Sequence, residues 1–175
     1  MTKPDSGETA DYTLEDLRYL MQRLRDPQTG CPWDTKQTFK TIAPYTLEEV
    51  CEVIDTIERE DFDHLREELG DLLFQVIFYN QLGEEQGLFD FDGIVSGLVQ
   101  KLIARHPHVF PQGKLRSQRQ SDSPQDEAAI KQNWEALKEN ERRAKGKTSV
   151  LADIPLRLPA LVRATKLQKR AANHG

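Results

Sequence analysis

The sequence predicts an all-α protein. Apolar residues recur three and four positions apart along most of the chain, the spacing that puts side chains on one face of a helix. The two-residue alternation that marks half-buried strands is almost absent. No internal repeat breaks the 175 residues into smaller units.

Residues 1–12 are polar and read as a disordered leader. Thr13 then caps a helix with Leu14, Leu17, Met21 and Leu24 in register, which stops near Asp26-Pro27. "DPQTGCPWDTKQTFKTIAPYT" follows, with three prolines and a glycine, and predicts a long loop with one short helical turn. Thr46 is expected to open the second helix, because Thr46-Leu47-Glu48-Glu49 fits a capping box. Leu47, Val50, Ile54 and Ile57 supply its stripe. A short turn at "REDFDH" leads to a third helix from about Asp63 to Glu85, closed by Gly87. Its second half, "LLFQVIFYNQL", is apolar on nearly every side, as buried helices are. Asp90 or Asp92 caps a fourth helix that must end before Pro107. Residues 111–124 are rich in Gln, Ser and Pro and read as a flexible linker. Ser123-Pro124 restarts a helix with Ile130, Trp134 and Leu137 on one face, and residues 125–175 complete the chain as C-terminal helices and a basic connector. Residues 13–110 form the main domain.

Composition narrows the function classes. A chain of this length can bury one ordinary core. No apolar run approaches the roughly 20 residues of a membrane span, and the N-terminus lacks the apolar stretch of a secretory signal. Cys31 and Cys51 form no CxxC, as expected of reduced thiols in a cytoplasmic protein. A net charge of −5 argues against a general nucleic-acid binder.

That charge is unevenly spread. From Thr46 to Asp71, eleven acids face only Arg59 and Arg66, a local charge of −9. Glu49 and Glu52 are three apart and project together; taken alone, a solvated helix face with Glu49 serving as a cap is the plainer account of them. Glu68 and Asp71 repeat the spacing on a helix flanked by apolar residues, with Gln75 one turn on. Carboxylates partly desolvated there need a partner or a metal. Arg66, Lys101 and Arg105 are the available cations, too few for this many acids. Hard oxygen donors favour magnesium, or manganese, over zinc or copper. His64, one turn before Glu68, offers a nitrogen to the same face, although a solvated histidine is the plainer account.

Taken in order, these residues resemble the MazG family of nucleoside triphosphate pyrophosphohydrolases. Its Glu-Glu-x-x-Glu stands here as Glu48-Glu49-Val50-Cys51-Glu52, and its Glu-x-x-Asp as Glu68-Leu69-Gly70-Asp71. "LMQRLRDPQTGCPWDTKQTFKTIAPYTLEE", "EELGDLLFQVIFYNQ" and "KLIARHPHVF" look like the family as well. The resemblance implies a four-helix-bundle-like core, a dimer or tetramer, and magnesium-dependent hydrolysis of nucleoside triphosphates to monophosphate and pyrophosphate. It assigns Glu49, Glu52, Glu68 and Asp71 as metal ligands. Glu48 becomes a second-metal ligand or the group that deprotonates water, with Glu49 the other catalytic candidate. The chemistry agrees: such displacements need charge neutralisation and an in-line water rather than a protein nucleophile, and no Walker phosphate loop is present.

Lys36, Lys101 and Arg105 are expected to meet phosphates. Trp33 can stack on a base or anchor its loop. The apolar helix "DLLFQVIFYNQL" calls for a homodimer at least. The tail resembles the connector before the second domain of tandem members. A non-catalytic dimerisation or regulatory half of such a protein is therefore the alternative reading. A carboxylate-bridged redox protein is disfavoured because no Glu-x-x-His occurs.

Overall fold

The computed structural model describes residues 11–119, 126–144, 146 and 154–172. The described residues form six α-helices and no strand, so the all-α expectation holds. They fall into two compact units, divided after Gly97.

The first unit holds α1 (Leu14–Leu24), α2 (Phe39–Glu58), α3 (Phe62–Glu85) and the start of α4 (Phe91–Arg105). Thr13 caps α1 as expected, in a capping box whose acid is Asp16. Met21, Ile42, Ile77, Phe78 and Leu82 form the core, and Leu17, Phe39, Phe74, Tyr79 and Phe91 pack around it. Glu60 takes a left-handed φ of 57°, and the Asp61 amide reaches back to the Thr56 carbonyl at 3.0 Å. This turn folds α3 back along α2. Asp61 then caps α3, accepting from the His64 amide at 3.2 Å.

The start of α2 differs from expectation. The helix begins at Phe39, not Thr46, capped by Thr38 in a box with Thr41, and Pro44 lies inside it. A proline there forfeits one helical hydrogen bond. Burial of Ile42 and packing of Phe39 on the core offset that loss. The Thr46 hydroxyl is turned instead toward the Ile42 carbonyl and α3.

Arg25 fastens the intervening loop. Its guanidinium meets both Glu85 oxygens at 2.7 and 2.8 Å, donates to the carbonyls of Asp34 and Gln37, and lies over the Phe78 ring. The short helical turn expected in this loop is the 3-10 turn Asp34–Lys36. Gly30 is required: a Cβ there would meet the Asp26 and Leu24 carbonyls at 2.5 Å.

The expectation that the second half of α3 is buried all round is only half met. Ile77, Phe78 and Leu82 are buried, whereas Leu73 and Val76 stay exposed because α1 and α2 cover only part of its circumference.

The second unit contains the end of α4, α5 (Glu127–Ala144) and α6 (Ala160–Ala172). Asp90 accepts from the Gly93 amide at 2.7 Å, so it is the cap of α4. The α5 start expected at Ser123-Pro124, the end of the 111–124 linker and the leader before Asp11 lie outside the described residues.

Candidate metal centre

The antiparallel pair α2 and α3 sets acid against acid. Glu49, Glu68 and Asp71 each offer a carboxylate oxygen, and these oxygens all lie within 4.8 Å of one another. Glu68 is 8% exposed, Glu49 partly buried and Asp71 exposed. The Glu49 carboxyl is pushed above its usual value by burial first, then by the charge of Asp71, by the charge of Glu52 and a hydrogen bond with it, and by the charge of Glu68. Hard oxygens clustered in this way have the donor chemistry of a divalent-cation site.

Among the expected ligands, Glu49, Glu68 and Asp71 are therefore brought together, and Glu52 lies beside Glu49. Glu48, next along α2, is exposed. Glu68 finds its partner in His64, whose Nε2 is 2.7 Å from Oε1, rather than in Arg66, Lys101 or Arg105. Trp33 is 48% exposed and meets Tyr45 edge to face at 5.8 Å, one turn before Glu49, while Lys36 is exposed on the neighbouring 3-10 turn. Lys101 is exposed on α4, and Arg105 is held by Glu141 in two bonds of 3.0 and 2.5 Å. Both belong to the second unit.

Three features escaped the sequence reading. Thr46, Gln75 and Tyr79 link α2 to α3 one turn from the acids. His64 bonds directly to Glu68. The second unit also carries a cleft of about 250 Å³ lined by Arg105, His106, His108, Lys131 and Trp134 among others. Trp134 and Lys138, four apart and with the ammonium 3.7 Å from the ring centre, had a legible spacing.

An antiparallel helix pair presenting Glu-Glu-x-x-Glu against Glu-x-x-Asp defines a class, the all-helical proteins with a carboxylate cluster between two helices. Residues 37–110 match the MazG nucleotide pyrophosphohydrolase domain. The chain is 54% identical over 162 residues to a nucleoside triphosphate pyrophosphohydrolase of Escherichia coli K12, covering 93% of this chain and 58% of that protein. It is 39% identical over 166 residues to the nucleoside triphosphate pyrophosphohydrolase/pyrophosphatase MazG of Thermotoga maritima, covering 95% and 59%. A crystal structure of a MazG-related protein from Thermotoga maritima superposes with a TM-score of 0.56 at 22% identity, over 72% of this chain and 99% of the other. The chain belongs to the MazG family. It spans about 58% of the length of the Escherichia coli relative it matches.

Proposed function

We propose that this chain hydrolyses nucleoside triphosphates to nucleoside monophosphate and pyrophosphate with the help of magnesium, for which manganese can substitute. The observation that carries the reading is the convergence of Glu49, Glu68 and Asp71 within 4.8 Å. The relatives named as pyrophosphohydrolases support it.

In this reading Glu49, Glu52, Glu68 and Asp71 hold the cation. When bound, it neutralises phosphate charge and makes water a better nucleophile at neutral pH. Glu48 accepts the proton of the attacking water. His64 holds one oxygen of Glu68 and so fixes which oxygen faces the site. Trp33 gives the base a flat surface. Lys36 serves phosphate oxygens beyond the cation's reach.

A homodimer at least is part of the proposal, supported by the exposed apolar residues Leu47, Val50 and Ile54 of α2 and Leu69, Leu73 and Val76 of α3. So is a cytoplasmic location, supported by the free thiols Cys31 and Cys51. No helix among the described residues is long and apolar enough to cross a membrane.

Phosphate release from a nucleoside triphosphate, measured with and without added inorganic pyrophosphatase, tests the reading. Phosphate should appear only with the pyrophosphatase and only with magnesium. Phosphate released without it would mean a different bond is cleaved. None under any condition would favour the non-catalytic alternative.

A further inference from the structure

One turn beyond the acids, the α2–α3 seam carries a polar layer that metal binding does not use. Gln75 follows Asp71 by four residues and is 6% exposed. Opposite it stands Thr46, three residues before Glu49. The Thr46 hydroxyl lies 2.7 Å from the Tyr79 hydroxyl and donates to Gln75 Oε1 at 3.4 Å. Tyr79 is itself fixed by a stacked contact with Phe39, 6.1 Å between ring centres. The Thr46 hydroxyl, shared between the Ile42 carbonyl and the Gln75 carboxamide oxygen at 3.4 Å each, thus joins Tyr79 to Gln75. The two N–H groups of Gln75 meet no acceptor among the described residues.

The nitrogen end of Gln75 is not among the enclosed, unpartnered polar atoms, so it reaches solvent and its N–H groups are open to a ligand. The layer is also well placed. Glu49 sits on one side of it along α2, and Tyr45, which carries the Trp33 ring, adjoins Thr46. A nucleotide whose phosphates lie at the acids and whose base lies on Trp33 must lay its sugar between them.

We propose that Gln75 is a substrate-binding residue that donates a hydrogen bond to a sugar hydroxyl of the nucleotide, and that Thr46 and Tyr79 are the positioning residues that aim it. This rests on the function proposed above. A sugar contact adds affinity without reading the base, in keeping with the flat, base-insensitive surface of Trp33.

The test compares the full chain with its Gln75→Met variant on ATP, CTP and 2′,3′-dideoxy-ATP, in saturating magnesium. KM should rise about tenfold for ATP and CTP alike. It should not change for the dideoxy substrate, and kcat and the magnesium activation constant should be unaltered. Thr46→Val, which keeps the amide but frees it to turn, should raise KM in the same pattern by a smaller factor. It serves as the test if the methionine variant does not fold. An unchanged KM overturns the inference, as does a change confined to one base or one that persists with the dideoxy substrate. Wild-type protein that forms no pyrophosphate overturns this inference and the proposed function together. Active wild type with an indifferent variant overturns this inference alone.

Discussion

Replacing Glu49 by Gln should have opposite effects on stability with and without metal. Without metal, Glu49 shares its space with Asp71, Glu52 and Glu68, which together with burial raise its carboxyl above the usual value. Two charges 4.8 Å apart repel by roughly 3.5 kcal/mol at an effective dielectric of about 20. Asp71 and Glu52 are exposed, and solvent screening brings the net penalty down to about 1 kcal/mol. The variant in EDTA should therefore melt about 2–4 °C above the wild type. With magnesium at a hundred times its dissociation constant, the wild type gains about 2.7 kcal/mol. The variant lacks the central ligand and should gain little of this, so the order of the two melting curves reverses. The pH dependence has a definite sign. The folded carboxyl holds its proton more tightly than the unfolded one, so stability is greatest below the usual value of 4.5 and falls as pH rises through the higher folded value. Glu49→Gln should flatten that decline in EDTA. Differential scanning fluorimetry from pH 4 to 8, with EDTA and with magnesium, reads all three effects. A variant that melts below the wild type in EDTA, yet gains equally from magnesium, would refute the reasoning.

Three further outcomes are expected. Arg25→Ala should cost about 3 kcal/mol in urea denaturation, because a buried guanidinium that serves Glu85 and two loop carbonyls is lost. Arg25 holds the Glu85 carboxyl below its usual value, so this pairing stabilises the fold above that value and fails as pH falls through the lower folded one. The variant's acid unfolding should lose that component. Trp33→Ala should weaken apparent affinity for purine and pyrimidine triphosphates by a similar factor, about tenfold, with magnesium dependence unchanged in steady-state kinetics. Leu73→Glu, on the exposed stripe of α3, should reduce the mass seen by light scattering to that of one 20.1 kDa chain.

The parts legible in the sequence were those carried by local spacing. Glu49 and Glu52, like Glu68 and Asp71, stand three residues apart, and helix geometry alone puts each pair on one face. What spacing within one helix cannot convey is the register between two. The opposition of Thr46 to Gln75 and Tyr79 depends on where α2 begins and how tightly Glu60 turns the chain. The capping signal at Thr46 was sound locally, but Thr38 offers another, and the burial of Ile42 decides between them. Pro44 is one of the three prolines that predict a loop, yet it lies inside α2, where core packing outweighs one lost hydrogen bond. Arg25 was hidden for a similar reason. Its partners, Glu85 and two backbone carbonyls, lie up to sixty residues away or carry no side-chain signal. His64 was visible on the Glu68 face, but only the fold decides that it bonds Glu68 rather than water.

A manganese titration followed by electron paramagnetic resonance tests most directly whether Glu49, Glu68 and Asp71 together hold a divalent cation. Added to wild-type protein without nucleotide, manganese should lose its free six-line signal until the site is filled, and excess magnesium should restore it. Glu68→Gln, with melting and helicity intact, should leave most of the signal free at the same concentrations. Equal binding by the variant, or a free signal undiminished by the wild type, would contradict the account.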